Sequence, residues 1–185
     1  PTLYNRTYLC WSCSCYLSHM SFNDHRFCIA PMMKKTDRHF RFLARQFTKK
    51  SMLYTEMIHS NAILKGDKEK LLSFSDIEHP VGLQLGGSDP ETLAEAAKIG
   101  ESFGYDEINL NVGCPSKKVK SGNFGVFLMK DIELLCSCIS AMKRNTTIPL
   151  TIKCRIGVDQ HEGKEYLTRF IERIADSGIS LFVIH

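Results

Sequence analysis

Long apolar runs are missing from this sequence of 185 residues, and so are two common ligand-binding patterns. No stretch approaches the roughly 18 consecutive apolar residues of a membrane-spanning helix, so we expect a soluble protein with no membrane partner. No glycine-rich dinucleotide fingerprint follows the first strand-like run, which argues against an open Rossmann fold. Cys10 and Cys13 form one C-x-x-C, but no second Cys or His pair stands at zinc-finger spacing. We therefore predict no metal site.

The charge balance and the cysteines set further limits. The 24 Lys and Arg against 20 Asp and Glu give a net charge of +4, which permits a polyanionic partner without requiring one. Eight cysteines are scattered through the chain and do not form a compact disulfide scaffold, so we expect a reduced, cytoplasmic compartment. Residues 1–26 are interpreted as a leader of unknown role. The residues before Met20 show no clear periodicity, and organellar targeting by them stays open.

From Phe27 onward, short strand-like runs alternate with longer amphipathic segments. The strand-like runs are FCIAP, MLYTEM, PVGLQLGG, EINLNVG, PLTIKCRIG and SLFVIH. In the first helical segment Thr36 or Asp37 can cap, and Phe40, Leu43 and Phe47 fall at helical spacing. This alternation is typical of parallel βα units, arranged either as an open sheet or as a closed barrel.

One helix has particularly clear end signals. Asp89 is suited to the N-cap, and Pro90 takes the first helical position. Gly104 follows the periodic segment and is suited to ending it. We predict a helix between these residues.

Polar residues at the ends of the strand-like runs favour the barrel. In PLTIKCRIG, the side chains of Thr151, Lys153 and Arg155 share one face, which is tolerable where that face lines a barrel mouth. The same pattern recurs on other runs at Gln84, Asn109, Asn111 and His185. Active sites of (β/α)₈ barrels lie at the carboxyl ends of the strands. Because a full barrel has about 250 residues, we predict a TIM barrel truncated after about six strands.

Three kinds of side chain at these strand ends could carry chemistry. Cys114, in a turn between Gly113 and Pro115, is either an inert small residue or a nucleophile or proton donor. Lys153 is either a solvated lysine, a Schiff-base former, or a cation beside an electron-rich ligand. The amides of Gln84 and Asn111 can donate and accept hydrogen bonds, which suits a heterocycle. Together they favour a flat, polar cofactor over a metal.

Seven ordered motifs carry a family resemblance. They are APMMKKTDRHFR, LYTEM, HPVGLQLGGSDP, GYDEINLNVGCPS, GNFGVFLM, TIKCRIGVD and FVIH. In this order and spacing they resemble the tRNA-dihydrouridine synthases, most closely the A-type bacterial branch. The resemblance implies that residues 27–185 are the N-terminal portion of an FMN-binding barrel that reduces uridine in tRNA, at D-loop positions 20 and 20a, with NADPH. It also implies a monomer when the protein is complete.

The resemblance also assigns roles to individual residues. Cys114 would be the general acid that protonates the uracil ring. The residues expected to bind the flavin are Pro31, Met32, Met33, Gln84, Asn111, Lys153 and His185. The residues expected to contact tRNA are Asn111, Lys117, Lys118 and Arg155. The loop KKVKSGNFG, with its lysines and Phe124, would grip phosphate and base while the target uridine leaves its stack.

Two departures and three alternatives accompany this interpretation. Lys34 and Lys35 stand where the family has an acidic residue and a tryptophan, which favours phosphate contacts but removes an aromatic surface. The remaining strands and a helical tRNA-binding domain would lie beyond His185, so the piece alone is expected to be inactive. The alternatives are another FMN barrel such as dihydroorotate dehydrogenase, an aldolase-like barrel with Lys153 as Schiff base, and a fragment that at most contacts RNA.

Overall fold

The computed structural model describes residues 25–116, 119 and 122–185, and in these residues the strands form one parallel sheet. The strands are β1 (Cys28–Ile29), β2 (Met52–Tyr54), β3 (Ile58–His59), β4 (Val81–Gly86), β5 (Glu107–Asn111), β6 (Leu150–Cys154) and β7 (Phe182–Ile184). Their spatial order is β1-β2-β4-β5-β6-β7, and β3 pairs with β4 on the side that β2 also uses. The six strand positions curl as a half-barrel, which confirms the predicted truncated TIM barrel.

The helices lie between the strands, as the sequence pattern predicts for βα units. They are α1 (Arg38–Phe47), α2 (Ser60–Lys65), α3 (Lys68–Leu72), α4 (Pro90–Ser102), α5 (Ile132–Asn145) and α6 (Lys164–Asp176), with 3₁₀ turns at Asp76–Glu78 and Gly125–Met129. The predicted start of α4 is confirmed, since the Asp89 carboxylate accepts the Thr92 N–H at 2.9 Å. The short helices α2 and α3 were not predicted, because helices of one or two turns show little periodicity. None of the helices in the described ranges is long and apolar enough to cross a membrane.

The core lies between the outer face of the sheet and the helices α4 and α5. Side chains of β4, β5 and β6 on this face are fully buried, namely Leu83, Leu85, Ile108, Leu110 and Ile152. Helix α4 approaches the sheet closely at Gly100, where a Cβ atom would lie 2.6 Å from Leu83 Cδ2. Burial of these aliphatic side chains stabilises the layer by roughly 1.5–3 kcal/mol each. The apolar layer therefore fixes which face of each strand points away from the helices.

The opposite face of the sheet is polar although it is buried. Strand pairing puts Gln84 beside Asn109, and Asn109 beside Thr151, while Asn111 pairs with Lys153. Side chains alternate between the two faces of a strand, so these residues share the face that points away from α4 and α5. A buried polar face requires hydrogen-bond partners, and Gln84, Asn109, Asn111 and Thr151 supply them to one another.

Helix α1 packs with its arginine face inward, not with its apolar stripe. Arg41 is 4% exposed and its Nε donates to Glu78 Oε2 at 2.7 Å. Arg45 donates to the backbone oxygen of Glu78 at 2.8 Å. Leu43 and Phe47, which the sequence places at helical spacing, are 56% and 84% exposed. The predicted helix is therefore present, but the apolar stripe that contains Leu43 and Phe47 does not face the sheet.

Candidate active site

The candidate site lies at the carboxyl ends of β4, β5 and β6. Gln84 and Asn111 project there from neighbouring strands, and Asn111 Nδ2 donates to Gln84 Oε1 at 3.0 Å. Lys153 pairs with Asn111 in the strand register, and Cys114 follows three residues after Asn111. Four residues that the sequence assigns to catalysis or flavin binding thus occur within three adjacent strands and one loop.

The turn that carries Cys114 is fixed by the side chain of Asn111. Asn111 Oδ1 accepts the backbone N–H of Cys114 at 3.0 Å and that of Gly113 at 3.3 Å. The carbonyl oxygen of Cys114 in turn accepts the N–H of Val126 at 3.1 Å. Gly125 makes this approach possible, because it adopts a φ of 61° and a Cβ there would lie 2.9 Å from the Cys114 oxygen.

The thiol of Cys114 is half-buried and lies in a polar setting. Its Sγ is 3.5 Å from Ser116 Oγ, to which the thiol can donate a hydrogen bond. Lys153, on the neighbouring strand, pairs in register with Asn111, the residue that bonds the Cys114 turn. This position contrasts with that of Cys138, which is fully buried on α5 and whose pKa is raised to about 12, mainly by burial.

Lys153 is half-buried among the polar strand ends. Burial lowers the pKa of its ammonium group, and the neighbouring charge of Arg155 lowers it further. Arg155, which the sequence assigns to tRNA, donates from Nε to the carbonyl oxygen of Gly113 at 2.7 Å. The Nε–H of Arg155 therefore helps to hold the loop that carries Cys114.

A chain of buried amides connects the site with deeper parts of the polar face. Gln84 Nε2 donates to Asn109 Oδ1 at 2.8 Å, and Asn109 Nδ2 donates to Thr151 Oγ1 at 2.8 Å. Thr151 donates to Glu107, which is fully buried at the start of β5. Glu107 is not among the functional residues predicted from the sequence. Its position in the strand could have identified it, because alternate residues along β5 share one face of the sheet, which places Glu107 on the same face as Asn109 and Asn111.

Residues of the first loop and of the last strand flank this cluster. Pro31 is half-buried, and Met32 and Met33, just after β1, are 44% and 57% exposed. The loop is ordered by local bonds, since Met32 donates its N–H to Thr36 Oγ1 at 3.0 Å. His185 is exposed and lies at the end of β7, where its N–H binds the Cys154 oxygen at 3.0 Å.

Lys117 and Lys118, which are expected to contact tRNA, lie outside the residues that the structure describes.

Phe124, which is expected to contact the target base, is largely buried. It is only 7% exposed and packs edge-on against His59, with ring centroids 4.8 Å apart. Its ring therefore has little free surface for stacking on a base, because packing against the strand ends already covers it.

Metal-ligating side chains do not cluster in the part of the chain that the structure describes. Among residues 25–116, 119 and 122–185, no group of three or more His, Cys, Asp or Glu side chains could hold a metal ion. His25 lies in the stretch interpreted as a leader, yet its Nε2 is 2.6 Å from Glu107 Oε2. This contact is an acid–histidine pair within the polar face.

Comparison with characterised proteins places these observations in a family. A model of the dihydrouridine synthase (Dus) family matches residues 28–185. The chain is 55% identical to a tRNA-dihydrouridine(20/20a) synthase of Synechocystis sp. over 157 residues, covering 85% of this chain and 47% of the relative. Relatives of the same name from Xanthomonas campestris and Escherichia coli K12 are 47% and 48% identical, each over 86% of this chain and 48% and 46% of the relative.

The matches cover a larger share of this chain than of the relatives. The match covers nearly all of the described residues of this chain, but the chain spans about half the length of the curated relatives it matches. The seven motifs that carry the resemblance all lie within the matched range. On the family match and the half-barrel with its polar strand ends, the chain belongs to the dihydrouridine synthase family.

Proposed function

We propose that the protein carrying this chain reduces uridines 20 and 20a of tRNA to 5,6-dihydrouridine, with FMN as bound cofactor and NADPH as the source of electrons. The observation that carries the proposal is the position of Cys114, whose turn is bonded to Asn111 beside Gln84 and Lys153. The relatives named tRNA-dihydrouridine(20/20a) synthases supply the substrate and the positions of the uridines.

The side chains at the strand ends fit a flavin ring better than a metal or a purely apolar ligand. An isoalloxazine edge offers both acceptors and an N–H donor, and amides can match both kinds of group. Gln84 and Asn111 each use one amide hydrogen in the buried network, which leaves the second N–H of each for a ligand. Lys153 would hold the electron-rich end of the ring with its ammonium group. Pro31, Met32, Met33 and His185 complete the proposed set at the neighbouring strand ends.

When bound, FMN would supply the hydride that reduces the C5=C6 bond of uracil. Cys114 then has to provide a proton to C5, because hydride addition at C6 leaves negative charge over C5 and the adjacent carbonyl. A thiol is suited to this role, since an unperturbed pKa of about 8.5 keeps it protonated near neutral pH. The hydrogen bond that the Cys114 N–H donates to Asn111 Oδ1 would hold the thiol in a fixed position at the strand ends.

Lys153 and Asn111 would act on charge and on orientation. The positive charge of Lys153 stabilises anionic character at the ligand, and its half-buried position strengthens that effect because water screens it less. Asn111 lies between the Cys114 turn and Gln84 and would contact both cofactor and base. Lys153 would therefore stabilise negative charge on the cofactor, while Cys114 would supply the proton to the base.

Binding of tRNA would use cations around the mouth of the barrel. Lys34 and Lys35 are exposed in the loop after β1, next to the two exposed methionines. Lys117, Lys118 and Arg155 are the further proposed contacts, and phosphate contacts of this kind weaken as salt concentration rises. We also propose a cytoplasmic location and a monomeric state for the complete protein.

The test uses the protein expressed from its full reading frame and tRNA that lacks dihydrouridine. With FMN and NADPH, we expect the mass of the D-loop fragment to rise by the two hydrogens of each reduced uridine. In the Cys114→Ala variant, NADPH should still reduce the bound FMN. Its rate of tRNA reduction should fall by about 10²–10⁴-fold, the usual contribution of a positioned acid. Cys136→Ala on α5 is the matched control and should behave like the parent.

Two results would contradict the proposal. Equal tRNA turnover by Cys114→Ala and the parent would remove the proton-donor role. Turnover of free dihydroorotate by a parent protein that leaves tRNA unchanged would assign the site to another FMN-dependent reaction.

A further inference from the structure

A buried chain of five polar side chains runs along the polar face from the start of β5 to the Cys114 turn. Its members are Glu107, Thr151, Asn109, Gln84 and Asn111, with exposed fractions of 0, 0, 1, 2 and 9%. Glu107 and Asn111 are four residues apart on one strand, which corresponds to about 13 Å. The chain therefore joins the candidate site to a carboxyl group at the opposite end of the strand.

Every hydrogen bond in this chain points in the same direction. Asn111 donates to Gln84, Gln84 donates to Asn109, and Asn109 donates to Thr151. Thr151 then donates to Glu107 Oε1. Each amide uses its NH₂ group toward Glu107 and its oxygen toward Cys114, so the oxygen of Asn111 is left to accept the backbone N–H groups of Gly113 and Cys114.

Glu107 accounts for this common direction. A carboxylate has acceptors only, so the Thr151 hydroxyl must donate to it and must accept from Asn109. Tyr54 reinforces the arrangement, because its hydroxyl also donates to Glu107 Oε1, at 2.7 Å. The pKa of Tyr54 is raised, mainly by burial and next by the charge of Glu107, which keeps the phenol as a donor.

We infer that Glu107 is a positioning residue for the active site: through Thr151 and the amides of Asn109 and Gln84 it fixes the orientation of the Asn111 carboxamide, and thereby the turn that presents Cys114. The same relay fixes which edge of Gln84 and of Asn111 faces a ligand. The consequence for FMN and uridine rests on the proposed function, whereas the relay itself is a property of the polypeptide. Buried hydrogen-bond networks act cooperatively, so a change at one end is felt at the other.

The first test measures backbone hydrogen exchange at Gly113 and Cys114 in the full-length protein without FMN. Glu107→Gln introduces an amide that can donate, so the direction of the chain is no longer imposed. Thr151→Val removes the hydroxyl while keeping the shape of the side chain. We expect exchange at Gly113 and Cys114 to become at least fivefold faster in both variants, since Asn111 Oδ1 is no longer held toward them.

Two matched variants control this measurement. Thr151→Ser keeps the hydroxyl and should exchange like the parent. Ile152→Val weakens the same strand on its other, apolar face and should leave the Cys114 turn unchanged. Amides of α4 serve as the internal reference. Parent-like exchange at Gly113 and Cys114 in both relay variants, or an equal acceleration of the α4 amides, would overturn the inference.

The second test measures FMN affinity and the separation of kcat from KM in the same variants. We expect Thr151→Val and Glu107→Gln to bind FMN about 5- to 20-fold more weakly than the parent and to have a lower kcat with tRNA. Thr151→Ser, which keeps the hydroxyl, should retain the parent's FMN affinity and kcat. Parent-like FMN binding and kcat in both relay variants would overturn the inferred effect on the site. Failure of the parent itself to bind FMN or reduce tRNA would instead contradict the proposed function, while the exchange experiment would still decide on the relay.

Discussion

The carboxamide oxygen of Asn111 accepts the backbone N–H of Cys114 at 3.0 Å, so the last residue of β5 shapes the first turn of the loop that follows it. The same side chain donates to Gln84 Oε1 at 3.0 Å on the neighbouring strand. One buried amide therefore ties two strand ends to the loop that carries the thiol. Asn111 therefore has a structural role in the candidate site, in addition to the contact with cofactor and base that we propose for it.

Substitution of Asn111 by Ala should cost about 1–3 kcal/mol in the free energy of unfolding, because Gln84 Oε1 and two backbone N–H groups lose their buried partner. Urea unfolding of the full-length protein measures the change. Asn145→Ala is the matched control, since the Asn145 amide caps only the end of α5 by a bond to Ala141. A loss at position 111 no larger than that at position 145 would show that the amide network adds little stability.

Gly82 should not tolerate a side chain. A Cβ atom at this position would lie 2.7 Å from Cε1 of the Tyr54 ring, and the ring cannot retreat without breaking its bond to Glu107. We expect Gly82→Ala to destabilise the protein by about 1–3 kcal/mol, as overpacking does. Thermal or urea unfolding provides the measurement. In a Tyr54→Ala background the same substitution should cost much less, and an undiminished cost there would disprove the steric explanation.

The buried ion pair between Arg41 and Glu78 should be sensitive to removal of one partner. Both side chains are nearly inaccessible, and Arg41→Met would leave Glu78 as a buried charge with one fewer donor. We expect a loss of about 3–5 kcal/mol in the free energy of unfolding. Arg173→Met, at an exposed pair with Glu133, is the control and should change stability by an amount near the detection limit. Similar losses for both variants would contradict the role of burial.

Lys153 should make stability depend on alkaline pH. Burial lowers the pKa of this amine in the folded state below that of the unfolded chain, so the protonated form costs stability near neutral pH. As pH rises through the lowered pKa toward the unfolded value, the folded state loses its proton first, and the cost disappears. Lys153→Met should therefore be more stable than the parent at pH 7, and this advantage should shrink at higher pH.

Parallel unfolding curves of the parent and Lys153→Met across this pH range measure the effect. Lys153→Arg keeps the charge and should not show the stabilisation at pH 7. The two variants should also differ in binding of the proposed cofactor, because only the Met variant lacks a cation at position 153. A stability difference between Lys153→Met and the parent that increases with pH would contradict this prediction.

Much of the fold could be predicted from local patterns. Alternating strand and helix periodicity indicated the parallel βα units, and the N-cap and proline at Asp89 and Pro90 predicted the start of α4. Helix α1 shows where such reasoning fails. Its apolar stripe was recognised, but the buried residues are Arg41, Ala44 and Arg45, because Glu78 and the carbonyl groups beside it provide partners for the guanidinium groups.

For the candidate site, the sequence by itself determined the chemical groups and their place at strand ends, since parallel strands deliver their carboxyl ends to one edge. It also determined the family, through seven motifs in a fixed order. Only the tertiary structure decided that Phe124 is covered by His59 and that Arg155 holds Gly113. The direction of the Glu107 relay also required it. Hydrogen bonds between residues 25 to 44 positions apart depend on strand register, which local sequence patterns do not specify.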